Sequence, residues 1–140
     1  MKTRFTPASR TLQKLTDSGK TLAVATSKAA FYANRILEHF DIDRYFVYVS
    51  GDALDGSLTK NGKVDIIRIV LDALDPVRKM PVVMIGDRMH DISGAREAGI
   101  DSIGNTWGYG SREELETAGA TSIVDSVDEL YRLLTGETVR

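Results

Sequence analysis

The 140-residue chain is 42% hydrophobic and sets 18 basic against 20 acidic residues, a formal charge of -2. This is the size of one ordinary domain with a real core, and the near-balance of charge gives no reason to expect nucleic acid or an anionic membrane as partner. No apolar run approaches the ~20 residues that a transmembrane helix needs, "MKTRFTPASR" lacks the apolar centre of a secretory signal, and the absence of cysteine excludes disulfides and thiolate metal sites and fits a cytoplasmic protein.

Two periodicities then alternate along the chain, with no repeat, low-complexity segment or internal linker. A helical pattern from about Ala8 to Ser18, closed by Gly19, precedes the apolar run Thr21 to Thr26, which reads as a buried strand. A helix over about Ala29 to Phe40 follows, then a β-rich run Tyr45 to Val49 and the loop "SGDALDGSLTKNG", in which Gly51, Asp55, Gly56, Asn61 and Gly62 are turn residues. Val64, Ile67, Leu71 and Leu74 mark a helix stripe. Val82 to Ile85 is the next strand, Ile92 to Ala98 a helix ended by Gly99, and Asp101 to Gly104 a short strand. Ser111 and Ser126 each precede a Glu by three residues, the spacing of a reciprocal capping box, so both open helices, with Ser122 to Val124 as a strand between them.

Strands alternating with helices predict an α/β fold, a Rossmann-like three-layer sandwich around a mainly parallel sheet, as one domain over residues 1–140. Ligands of such sheets collect beyond the carboxyl ends of the strands, which directs attention to Thr26 and Ser27, Ser50 and Asp87. Thr26 and Ser27 end a strand where a helix begins, a suitable phosphate cradle, or else they cap that helix. Lys63 would sit in a helix first turn, against the dipole, held there by an anionic ligand or simply solvated. Asp87 and Asp91, four apart at a strand end in "MIGDRMHDISGA", repel unless a cation relieves them, and hard oxygen ligands suit Mg²⁺. The plain alternatives are a turn acid and an N-cap. His90 reads as surface, Asp52, Asp55 and Trp107 as loop and packing residues. The "GYG" at Gly108 to Gly110 is too short to be a nucleotide motif.

Taken in order, "LAVATSK", "KVDIIRIVLDAL" and "VMIGDRMHDISGAREAGI" resemble the second, third and fourth motifs of the haloacid dehalogenase superfamily of phosphohydrolases. The phosphoglycolate phosphatase-like branch is the nearest, since "GNTWGYGSREELETAGATSIVDSVDELYRLL" is similar to its carboxyl-terminal portion. The resemblance implies that Thr26 hydrogen-bonds the transferring phosphoryl group with the backbone amide of Ser27. It implies that Lys63 neutralises phosphoryl oxygens, that Asp87 binds Mg²⁺ directly, and that Asp91 supports the ion directly or through water. A small phosphorylated metabolite is the implied substrate.

The same resemblance exposes a departure. The family's aspartate nucleophile lies in an amino-terminal "DxDGT" segment on the first, central strand, and Asp55-Gly56-Ser57 only imitates it in a loop. The helical cap that follows that segment is also absent. The chain therefore resembles the carboxyl-terminal part of a phosphatase: a core lacking its first strand, expected to be inactive alone and to bind Mg²⁺ weakly or not at all. The alternatives are a non-catalytic phosphate-binding or regulatory domain, or a structural partner completing its sheet with another chain. A receiver-like domain fits less well, because its acids should come early and its Thr and Lys late. In family order the lost strand lies between those ending at Thr26 and Gly86, leaving them roughly 9.6 Å apart, two inter-strand spacings. Unpaired edges of that kind predict direct pairing of the two strands, or a homo-oligomer or strand-complementing partner, for which Lys2 to Thr6 offer one segment.

Overall fold

The computed structural model describes residues 7–136, so the candidate strand Lys2 to Thr6 lies outside the described residues. Helix α1 (Pro7–Asp17) starts on a proline, whose missing N–H is no loss in a first turn. It ends where Gly19 takes a φ of 88°. Strand β1 (Ala23–Ala29) starts later than the apolar run and continues three residues past Thr26. Its polar end hides it from hydropathy. Helix α2 (Ala30–His39), a 3₁₀ turn at Asp43–Tyr45 and strand β2 (Tyr48–Asp52) follow. The expected strand Tyr45 to Val49 is thus displaced towards the carboxyl terminus, and Gly51 belongs to the strand rather than to the loop. A Cβ on Gly51 would come within 2.6 Å of the Lys28 carbonyl oxygen, so only glycine lets β1 and β2 approach there.

Helix α3 (Lys63–Leu74), strand β3 (Val83–Gly86), helix α4 (Met89–Ala98) and strand β4 (Asp101–Asn105) form the middle of the molecule. Helix α5 (Arg112–Ala118), strand β5 (Ser122–Val124) and helix α6 (Val127–Thr135) complete it. Ser111 and Ser126 each accept an N–H bond from the glutamate three residues on, both at 3.1 Å, as expected of caps. The return half of the predicted boxes differs: Glu129 accepts from Asp125 at 3.2 Å, and Glu114 reaches across to Arg88 and Met89.

Every strand pair is parallel, which bears out the α/β architecture. The strands fall into two groups, β1-β2 and β3-β4-β5. Direct pairing of β1 with β3, one outcome expected from the sequence, does not occur: each keeps its facing edge unpaired by any described strand. The halves are joined by side chains instead. Ile67, Leu71 and Ala95 form a buried cluster against which Ala25 of β1 and Met84 of β3 both pack, so α3 and α4 bridge the gap on one face. On the other strands a second cluster, Ile103, Val124 and Leu130, takes in Val83 and Leu134. Each fully buried aliphatic side chain contributes about 1.5–3 kcal/mol, so the first cluster can hold the two half-sheets together without a backbone ladder between them, while the second consolidates the β3-β4-β5 half. Among the described residues no helix is long and apolar enough to cross a membrane.

Candidate functional site

At the carboxyl ends of the strands the sequence places charge, and the fold brings part of it together. Lys63, the first residue of α3, extends its ammonium to Asp91 on α4, with Nζ 3.0 Å from Oδ1 and both side chains only about a tenth exposed, 10% and 11%. This explains a lysine in an unfavourable first turn: its charge is balanced by the neighbouring helix, not by its own dipole. Asp91 is not the N-cap. Helix α4 starts at Met89, earlier than expected, with Arg88 as its N-cap, and Asp91 Oδ2 accepts from the Arg88 N–H at 3.4 Å. Gly86 makes the arrangement possible, since a Cβ there would lie 2.2 Å from the Asp91 Cβ.

Asp87 follows β3 directly, and its Oδ2 accepts the Tyr109 N–H at 2.8 Å. The turn after β4 is therefore seated on this carboxylate. Glu114 strengthens the same corner by accepting from Arg88 Nε at 2.9 Å and from the Met89 N–H at 2.8 Å. The Met89 N–H and then Arg88 hold its carboxyl below the usual carboxylate range, against the opposing effect of burial. Sequence reading spent Glu114 on a cap and passed over Tyr109, and only an interaction 22 or 25 residues distant reveals either role. His90 is exposed.

Thr26 and Ser27 lie across the gap. The β1-β2 register runs Ala25 to Ser50 but Ala29 to Asp52, so two extra residues are accommodated between Ala25 and Ala29. Thr26 and Ser27 sit in this bulge, a distortion common beside active sites. Neither caps α2, whose N-cap residue is Ala29. Thr26 Oγ1 accepts the Lys28 N–H at 3.1 Å, a local turn that holds the bulge. Among the described residues no hydrogen bond or ion pair joins Thr26 or Ser27 to Lys63, Asp87 or Asp91. Ser50, expected at a strand end, is instead buried within β2, where its hydroxyl donates to the Ile66 carbonyl at 3.0 Å.

Asp52 rather than Ser50 ends β2. Its carboxylate accepts from the Thr59 hydroxyl at 2.6 Å and from the N–H groups of Ala53 and Leu58 at 2.8 and 2.9 Å. The Thr59 bond is the largest influence holding its pKa below the ordinary value. Asp55 accepts the Ser57 N–H at 3.0 Å on an exposed turn, in keeping with a loop role. Trp107 is a half-exposed loop residue. A groove of about 390 Å³ lined by Asn34, Glu38, Asp43 and Phe46 to Val49 opens beside the amino end of β2, away from these acids.

Magnesium, which the resemblance implies, takes hard oxygen ligands and keeps several waters. Among the described residues no three His, Cys, Asp or Glu side chains gather to hold a metal ion. Asp87 and Asp91 offer hard oxygen donors of the kind such an ion takes. Asp87 is the freer of them, because Asp91 is committed to Lys63.

Residues 2–105 match the family described as haloacid dehalogenase-like hydrolase. The chain belongs to this family. The tyrosine-protein kinase PtkA of Mycobacterium tuberculosis is 40% identical over 125 residues, 88% of this chain and 42% of that protein. A 5'-nucleotidase of Pseudomonas aeruginosa is 39% identical over 88% of this chain and 54% of its own length, and a phosphoglycolate phosphatase of Vibrio parahaemolyticus 31% identical over 89% and 53%. The crystal structure of a predicted phosphatase from Clostridium acetobutylicum superposes with a TM-score of 0.85 at 44% identity, covering 91% of this chain and 57% of that one. This haloacid dehalogenase-like chain thus spans about half the length of the curated relatives it matches.

Proposed function

We propose that this chain is the carboxyl-terminal part of a Mg²⁺-dependent phosphomonoesterase of the phosphoglycolate phosphatase-like branch, and that alone it does not turn over. The observation that carries the reading is the Lys63–Asp91 pair together with Asp87 just past the carboxyl end of β3, a strand with one edge unpaired by any described strand. In this reading Lys63 neutralises phosphoryl oxygens, Thr26 and the Ser27 amide bind them from the other half-sheet, and Asp87, backed by Asp91, holds the ion. Bound Mg²⁺ would supply charge stabilisation of the transferring phosphoryl group. These residues position and neutralise; none is a nucleophile, and exposed Asp55 is bonded into its own turn. A cytoplasmic setting belongs to the same reading, resting on the cysteine-free sequence. Purified chain with p-nitrophenyl phosphate and Mg²⁺ should show no hydrolysis above background. Calorimetry should find weak Mg²⁺ binding at most, lost in Asp87→Asn. Reproducible turnover abolished by Asp55→Asn but kept in a surface control overturns the assignment of an absent nucleophile.

A second reading is favoured by the unpaired edges of β1 and β3: the chain is a phosphate-binding or structural partner that completes its sheet with another polypeptide. Phosphate binding without turnover in the assembled complex distinguishes it from the first.

A further inference from the structure

Strands β1 and β2 pair only with each other, so β2 has an outer edge, on the side away from β1, that no described strand takes up. The Val47 N–H donates to the Leu22 carbonyl at 2.9 Å, which aims Val47 at β1. Backbone groups alternate in direction along a strand, so Tyr48 turns its N–H and C=O to the open edge. Side chains alternate too. The Ser50 hydroxyl bonds the Ile66 carbonyl of α3, which puts Val47 and Val49 on the opposite face of the strand. The groove of about 390 Å³ brings these two valines together with Asn34 and Glu38 of α2 and with Asp43.

Native proteins commonly blunt an open edge with a lysine, a proline or a bulge on the strand itself. The segment Phe46 to Ser50 has no charge and no proline, its register is regular from Tyr48 to Ser50, and Val47 is 61% exposed. The charge stands on the walls of the groove instead. Among the described residues neither Glu38 nor Asp43 has an ion pair, and no lysine or arginine lines the groove. Arg44, next to Asp43 in sequence, is turned to Asp41 at 3.1 Å and lies over the Tyr45 ring. Two carboxylates without a cation, beside an uncharged strand edge, complement a cationic extended chain. Its backbone would continue the ladder while lysine or arginine at alternate positions reaches the acids.

We propose that the outer edge of β2 is a docking site for an extended, basic segment of another polypeptide, which adds as a further strand and places a lysine or arginine between Glu38 and Asp43. The site is independent of the phosphate platform and of the unpaired edges of β1 and β3.

Amide NMR titrations of the whole chain with blocked hexapeptides test it. The probes are an alternating lysine and threonine peptide, its glutamate and threonine counterpart, and the lysine peptide N-methylated along the backbone so that it cannot donate to a ladder. The lysine peptide should shift the Tyr48 N–H and slow its hydrogen exchange. The glutamate peptide should leave that amide unchanged, and N-methylation should abolish the effect. Glu38→Gln combined with Asp43→Asn should weaken the lysine peptide about fivefold, the range of two exposed ion pairs. No response at Tyr48, an equal response to both charges, or binding that survives N-methylation or the double variant undiminished overturns the proposal. A Tyr48 shift that follows protein concentration without any peptide gives the edge to a second copy and overturns it as well.

Discussion

Lys63 and Asp91 show how a residue that looks misplaced in sequence is explained by tertiary structure. A lysine at the start of a helix and an aspartate in the first turn of another are each locally unremarkable, and their meeting across α3 and α4 is not written in either segment. Their low exposure makes the pair consequential: breaking a buried ion pair typically costs about 3–5 kcal/mol, because the surviving charge is left without a partner. Lys63→Met should therefore lower stability by about that amount in urea titration, as should Asp91→Leu. The double variant should recover most of the loss, since a well-packed apolar pair of similar volume is often close to neutral. Equal and additive losses in the two single variants would show that the ion pair does not couple them.

At the scale of elements, the sequence revealed where strands and helices are but misjudged where the functional ones end. Apolar runs and 3.6-residue stripes mark burial, so β3, α3 and β5 were legible almost to the residue. The carboxyl end of β1 was not, because Thr26, Ser27 and Lys28 are polar and sit in a bulge, with the Thr26 hydroxyl accepting the Lys28 N–H, which no hydropathy pattern records. The same holds for β2, whose last residue is Asp52. That carboxylate organises the following loop through Ala53, Leu58 and Thr59. Its folded pKa is depressed from the ordinary ~3.9, led by the Thr59 hydroxyl bond. The sign follows: the loop's stabilisation is fully present above the unfolded value and is lost as pH falls through the lower folded one. Amide shifts of Leu58 should titrate with a midpoint below about 3.9, and Asp52→Asn should abolish the titration and loosen residues 53–59. A midpoint at or above the ordinary value contradicts the assignment.

For the whole molecule, the division of the sheet matters most. Strands β1 and β3 belong to two separate sheets, both packed on the Ile67, Leu71 and Ala95 cluster, and no described strand pairs with both. Each facing edge holds backbone donors and acceptors, and leaving such a group buried without a partner costs about 1–3 kcal/mol. Water can satisfy the edges only by entering beside the apolar cluster on which Met84 and Ala25 pack. The molecule is thus caught between a wetted core and an unsatisfied ladder, and an added strand relieves both. Because pairing of β1 with β3 is not adopted among the described strands, we propose that association relieves the edges, through a second copy or a strand from another polypeptide. Light scattering behind size exclusion should therefore show a concentration-dependent homo-oligomer when the chain is alone. Hydrogen exchange at Val24, Ala25, Met84 and Ile85 should slow as the oligomer forms. A monodisperse monomer across the accessible concentrations, with those amides exchanging freely, would rule out association as the way this sheet is completed.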